Sequence, residues 1–302
     1  MLIRGALLVL TAGILAAWWL TSPTELSAGD LPQHTPDPLA GERFFWAGGC
    51  ASCHATPVDG KRAQGEDKLL LGGGLELDTP YGVFRVPNIS AHPEDGIGAW
   101  STIEFVNAMQ HGVSPRGKHY YPSFPYASYV RMPVEDVMDL DAYLRTLPPV
   151  AGRVAEHELG FPWSLRRGLG LWKRLYLDPT AVVAVDSADV LLLDGRELVE
   201  GAGHCGECHT PRDRFGGLLG ESWLAGAPNP EGKGRIPNIT PAGKAIADWS
   251  QRDIEYYLES GFTPEFDTVG GSMVAVQENL ARLTPADRQA IAAYLKAIPA
   301  VD

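Results

Sequence analysis

The chain has 302 residues, 45% of them apolar and 21% charged, with a formal net charge of −12. That length suggests about two domains, and 24 prolines with 34 glycines predict long loops between the regular elements. So acidic a chain is repelled by a phosphate backbone, which sets nucleic acid aside as a partner and leaves a basic protein partner compatible.

Arg4 precedes an uncharged apolar run from Gly5 to Leu20, closed by Trp18 and Trp19. The pattern is that of an export signal. The run is shorter than the ~20 residues that comfortably span a bilayer. Even so, the Trp pair reads as an interfacial belt, and Leu26-Ser27-Ala28 is a poor small-x-small cleavage site. Residues 1–30 are therefore expected to form a retained anchor, with a cleaved signal peptide as the alternative.

A helix is predicted over PLAGERFFWAGG, followed by the box Cys50-Ala51-Ser52-Cys53-His54. A long loop then carries Pro87-Asn88-Ile89-Ser90 and Gly98-Ala99-Trp100-Ser101. Two helical segments complete the unit, TIEFVNAMQHG and VEDVMDLDAYLRTLP. In the latter, Val137, Leu140, Tyr143, Leu144 and Leu147 fall near helical spacing, and Met138 is expected to face outward. After residue 150 a basic, aromatic stretch carries Trp163, Arg166, Arg167, Trp172, Lys173 and Arg174. It reads either as an amphipathic helix on a membrane surface or as a linker helix packed across two domains.

The same series then returns. A helix over LLLDGRELVEGAGH leads into Cys205-Gly206-Glu207-Cys208-His209. Pro237-Asn238-Ile239-Thr240 and Ala247-Asp248-Trp249-Ser250 follow, then RDIEYYLESG and PADRQAIAAYLKAIP. The duplication predicts an all-α chain with two domains, 36–150 and 186–302, joined by a linker over 151–185.

The chain's four cysteines all lie in the two boxes. C-x-x-C-H is the attachment pattern of haem c. Thiols three residues apart on a helical turn face the same way and can form thioethers to the two vinyl groups of one porphyrin. The adjacent histidine then reaches the iron as proximal ligand. Zinc is the first competing reading, but zinc ribbons bring their C-x-x-C pairs within ~15–20 residues. A thiol redox motif is the second, and it leaves the histidine of each box unexplained. Two covalently bound haem c groups are expected, on Cys50, Cys53 and His54 and on Cys205, Cys208 and His209.

The stretches GGCASCHATP, PNIS, GAWST, HYYPSFPYASY, GAGHCGECHTPR, GKGRIPNITP and GGSM carry a resemblance. They resemble the dihaem class I cytochrome c proteins, in particular the cytochrome c subunits of membrane-bound alcohol, aldehyde and gluconate dehydrogenases. The resemblance covers roughly residues 40–302. It implies two tandem class I cytochrome c domains, each with a methionine as sixth iron ligand from the loop before its last helix. Met273 fits that role in the second domain. In the first, the matching position holds Phe124, which cannot ligate iron. Met132 is the expected substitute, with His111, His119 or a vacant site as alternatives. Arg85 and Arg235 are expected as partners of the haem propionates, Asn88 and Asn238 at the propionates or as braces of the loop, and Trp100 and Trp249 at the propionates or packed in the core.

The function implied is electron transfer between a periplasmic dehydrogenase and a respiratory oxidase or another cytochrome. The chain on its own is then an electron-transfer protein rather than an enzyme. The expected location is the periplasmic side of the inner membrane, or the soluble periplasm after signal cleavage. A dihaem peroxidase or thiosulfate-oxidising enzyme with an open first haem is the alternative.

Overall fold

The computed structural model of the chain describes residues 2–229, 232 and 234–301. Lys233, within the GKGRIPNITP stretch, lies outside them. Helix α1 (Leu2–Leu20) carries Arg4 near its start and is uncharged and largely apolar beyond it, and its described side chains are solvent-exposed. In the first half, α2 (Pro38–Ala47) begins where the Asp37 carboxylate accepts from Leu39 N at 2.9 Å and Pro38 occupies the first turn. The box helix α3 (Cys50–His54) follows, then α4 (Thr102–His111), α5 (Tyr126–Tyr129) and α6 (Val134–Leu144). A capping box of Ser101 and Glu104 starts α4, and left-handed Gly112 ends it.

The linker contains α7 (Leu169–Tyr176). In the second half, α8 (Val190–Arg196) widens into a π-helical turn (Glu197–Ala202) before α9 (Gly206–His209). Then come α10 (Gln251–Ser260), α11 (Met273–Leu280) and α12 (Pro285–Ala297). Capping boxes at Ser250 and Thr284 start α10 and α12.

The chain is helical as expected, with one addition. Strands β1 (Glu76–Thr79) and β2 (Gly82–Arg85) form an antiparallel hairpin in register Glu76 to Arg85, and linker strand β3 (Glu158–Leu159) pairs with β2. In the second half β4 (Ala227–Pro228) pairs with β5 (Arg235–Ile236). Strands of two to four residues are too short to leave a legible alternation in the sequence.

In each half the first and last helices cross at a glycine. A Cβ on Gly41 of α2 would lie 2.0 Å from Asp139 O of α6, and one on Gly195 of α8 would lie 2.1 Å from Ala290 O of α12. No side chain fits either contact, so glycine sets how closely the helices approach. The buried apolar core is continuous through both halves, from Phe45, Val106 and Val137 to Val199, Leu224 and Tyr294.

Met138 does not face outward as expected: it is 7% exposed. Beside it the Asp139 carboxylate accepts from His34 Nε2 and Asp37 N, so the segment before α2 crosses α6 at this point. Helix α7 packs across the chain. Lys173 Nζ donates to His111 O and Gly112 O at the end of α4, and Trp172 Nε1 donates to Phe215 O in the second half. Arg167 lies 3.5 Å from the Trp18 ring centroid and donates to Trp18 O, while Arg174 donates to Leu20 O.

Candidate functional site

Each box hangs on the end of a helix. Between α2 and α3, Gly49 takes the left-handed conformation, with φ of 58°. It turns the chain so that Cys50 and Cys53 follow on a new helical turn and face one way. Burial pushes the thiols of Cys50 and Cys205 up to about 12 and raises that of Cys53 as well. Burial thus favours the protonated thiol at these three positions. Among the described residues no three His, Cys, Asp or Glu side chains converge to hold a metal ion, which counts against a zinc site.

The two histidines are held alike. His54 Nδ1 lies 2.9 Å from Pro87 O, and His209 Nδ1 lies 2.8 Å from Pro237 O. A carbonyl only accepts, so each Nδ1 carries the proton and each Nε2 keeps its lone pair. Burial also lowers both imidazole pKa values, favouring the neutral form that binds a metal. A carbonyl behind a ligand histidine fixes its tautomer and ring orientation. Paired thiols on one face beside a histidine with a bare, oriented Nε2 are the donor set of a haem c site.

The carbonyls sit where they do because the loop passes close to each box. Gly73 N donates to His54 O at 2.8 Å, and Gly226 N donates to His209 O at 2.7 Å. Both glycines have positive φ, 68° and 83°. A Cβ on Gly73 would meet Val86 O and Pro87 at about 2.5 Å, and one on Gly226 would meet Asn238 N at 2.8 Å.

Of the residues expected near propionates, the asparagines act as braces in this structure. Asn88 Nδ2 donates to Val150 O and Gly152 O, and its Oδ1 accepts from Ser90 N. Asn238 Nδ2 donates to Val301 O, and its Oδ1 accepts from Thr240 N. Each therefore ties the Pro-Asn-Ile loop to the end of its own unit. Arg85 is engaged on the small sheet by Glu76, Glu158 and Glu156 O, while Arg235 is exposed on β5. Trp100 and Trp249 are partly buried against the core, Trp249 with its ring 5.3 Å from that of Tyr257.

Met273 opens α11 and is partly exposed. Met132 is 4% exposed, with its carbonyl accepting from Gln110 and its Cγ 2.9 Å from where a Cβ on Gly201 would stand. It lies in the seam between the halves.

That seam is not foreshadowed by any local pattern along the chain. His204 Nε2 donates to Gly48 O at 3.2 Å, so the approaches to the two boxes touch. Asn279 of α11 donates to Ser52 inside the first box, and Ser128 of α5 donates to Glu207 inside the second. Glu200, 1% exposed, accepts from Val182 N, Val183 N and the Tyr294 hydroxyl, which fastens the linker to α12. These contacts join residues far apart in the chain, and no local pattern announces them.

The chain has clear relatives among known proteins. A family model described as cytochrome c matches residues 39–148. The chain is 50% identical over 301 residues to a diheme cytochrome c-type protein of Cereibacter sphaeroides, covering 100% of this chain and 99% of that one. It is 35% identical to the fructose dehydrogenase cytochrome subunit of Gluconobacter japonicus, covering 93% of this chain and 55% of the relative. It is 34% identical to the cytochrome c subunit of the quinone alcohol dehydrogenase of Gluconacetobacter polyoxogenes, with 91% and 60% covered. The chain thus spans the whole of the first relative and little more than half of the two dehydrogenase subunits.

Proposed function

We propose that this chain, which belongs to the cytochrome c family, carries two haem c groups and passes single electrons between a periplasmic dehydrogenase and a respiratory acceptor. Haem c supplies one-electron chemistry at its iron. Cys50 and Cys53 would hold the first haem and Cys205 and Cys208 the second. His54 and His209 would be the proximal ligands and Met273 the sixth ligand of the second haem. The two haem-bearing units are the segments 36–150 and 186–302, with 151–185 as linker.

The observation that carries this reading is the matched pair of histidines, each with Nδ1 on a proline carbonyl and Nε2 open. The seam supports it further. Gly48 and His204 touch immediately before the two boxes, so both cofactors would lie beside the contact and close to one another. The protein's part is to hold the rings at fixed separation, shield them from water and set their potentials through ligation and burial.

The relatives named as cytochrome subunits of fructose and alcohol dehydrogenases support a dehydrogenase as donor. An oxidase or another cytochrome would accept. Helix α1 would keep the protein on the periplasmic face of the inner membrane: its 19 residues rise about 28 Å, close to the ~30 Å of a hydrocarbon core. The clasp of Arg167 and Arg174 on the Trp18–Leu20 end supports an anchor retained in the mature protein.

A redox titration of the purified full chain tests the proposal. Two one-electron waves are expected, with one lost in His54→Ala and the other in His209→Ala. A chain that takes up no electrons would refute it.

A further inference from the structure

We infer that the first site has no protein ligand on the distal side of its iron and takes uncharged diatomic ligands such as carbon monoxide there. The inference rests on haem c being carried at His54, and goes beyond it.

Backbone hydrogen bonds fix how the two halves correspond. The bridge Val113–His119 matches Phe262–Thr268. Tyr120 N donates to Gly112 O at 2.7 Å, and Val269 N donates to Gly261 O at 2.8 Å. Carried on along both loops, that register pairs Phe124 with Met273. The residue placed where the second half offers a thioether is therefore a phenylalanine, which has no lone pair to give.

Met132, Met109, His119 and His111 have different places. Met132 N donates to Tyr129 O just as Leu283 N donates to Leu280 O, so Met132 stands where the second half has Leu283. The two are 4% and 5% exposed, both core side chains at the same seam position. On α4, Met109 occupies the core position that Leu258 fills on α10, 6% and 5% exposed. His119 Nε2 donates to Thr21 O at 2.9 Å, at the end of α1. His111 lies at the end of α4, beside the Lys173 ammonium that caps that helix.

What surrounds Phe124 is aromatic. Its ring centroid lies 5.8 Å from that of Tyr120 and 5.7 Å from that of Tyr129. Tyr129 is 6% exposed, and its ring lies 5.8 Å from that of His204, which bonds Gly48 O two residues before Cys50, so this cluster borders the seam at the first box. A largely aromatic wall, polar only at its tyrosine hydroxyls, replaces little of the hydration shell that a small anion loses on entering it. It accepts a neutral diatomic molecule, which binds ferrous iron through a carbon or nitrogen lone pair with no proton released.

The test uses the full chain, with two haems per chain first confirmed by intact mass and pyridine haemochrome. A preparation without haem refutes the function proposed above and is thereby told apart from failure here. After reduction with dithionite, carbon monoxide titration should give one bound molecule per two haems. Phe124→Met should abolish that binding and add a second methionine–iron charge-transfer band in the near infrared. Met132→Leu should leave the stoichiometry unchanged. No carbon monoxide bound by the haem-loaded wild type overturns the inference, and so does binding that appears only in Met132→Leu.

Discussion

Asn279 Nδ2 donates to Ser52 Oγ at 2.6 Å, from the helix that follows Met273 in one half to the interior of the box in the other. Ser128 Oγ donates to Glu207 Oε1 at 2.9 Å from the corresponding helix to the corresponding box position. The two contacts are each other's counterparts, as across the two-fold interface of a homodimer. A third pair extends the relation. Arg43 of α2 binds Asp287 of α12 at 2.6 Å, and Glu197 in the matching place meets Asp136. The duplicated halves thus meet as pseudo-symmetric partners, the box of each against a helix of the other.

Asn279→Ala should lower stability by about 1 kcal/mol, the usual worth of one buried hydrogen bond. Asn279 is 1% exposed, so water does not simply replace the amide. The expected thermal shift is roughly 2–4 °C for a chain this long. An unchanged melting curve would mean that the seam contact contributes nothing.

Asp136 makes the seam sensitive to pH. Burial comes first and the Glu197 carboxyl second in holding its carboxyl up at about 8, with Asp139 also raising it and Arg43 opposing. A carboxyl raised in the folded state releases its proton more readily when unfolded. Its contribution to stability is therefore full below about pH 4, shrinks as pH rises and is gone above about pH 8. Asp136→Asn keeps a neutral hydrogen-bonding partner for Glu197. Denaturant unfolding should show the variant gaining on the wild type across that window; a constant difference would contradict the assignment.

Gly226→Ala should strain the loop behind His209. With φ at 83° and Asn238 N 2.8 Å from the new Cβ, the cost should exceed about 1 kcal/mol. Because Gly226 N holds His209 O, the proximal histidine should loosen too, broadening the low-spin EPR signal of one haem and sparing the other. An intact signal with lowered stability would confine the glycine to a folding role.

Much of the site was legible because its chemistry is local. Cys50, Cys53 and His54 are consecutive on one helical turn, and their repeat at Cys205, Cys208 and His209 needed only comparison along the chain. The helices were legible for the same reason, since capping residues such as Ser101 and Thr284 sit beside the apolar stripes they start. Illegible features depend on distant partners. Arg85 looked available for a propionate, yet Glu76 and Glu158 engage it across a hairpin too short to read. Met138 looked exposed, yet it is buried in the core beside Asp139, which binds His34 from the segment before α2. Glu207 is one of the two unspecified residues of its box, and only the fold gives it Ser128.

The central claim is that porphyrin is fixed covalently at both boxes. Intact-protein mass with a thiol count, on the full chain matured in a haem c-attaching host, tests it most directly. The expected result is the polypeptide plus two haems with no reactive thiol. A mass equal to the bare polypeptide, with all four cysteines titrating as thiols, would contradict it.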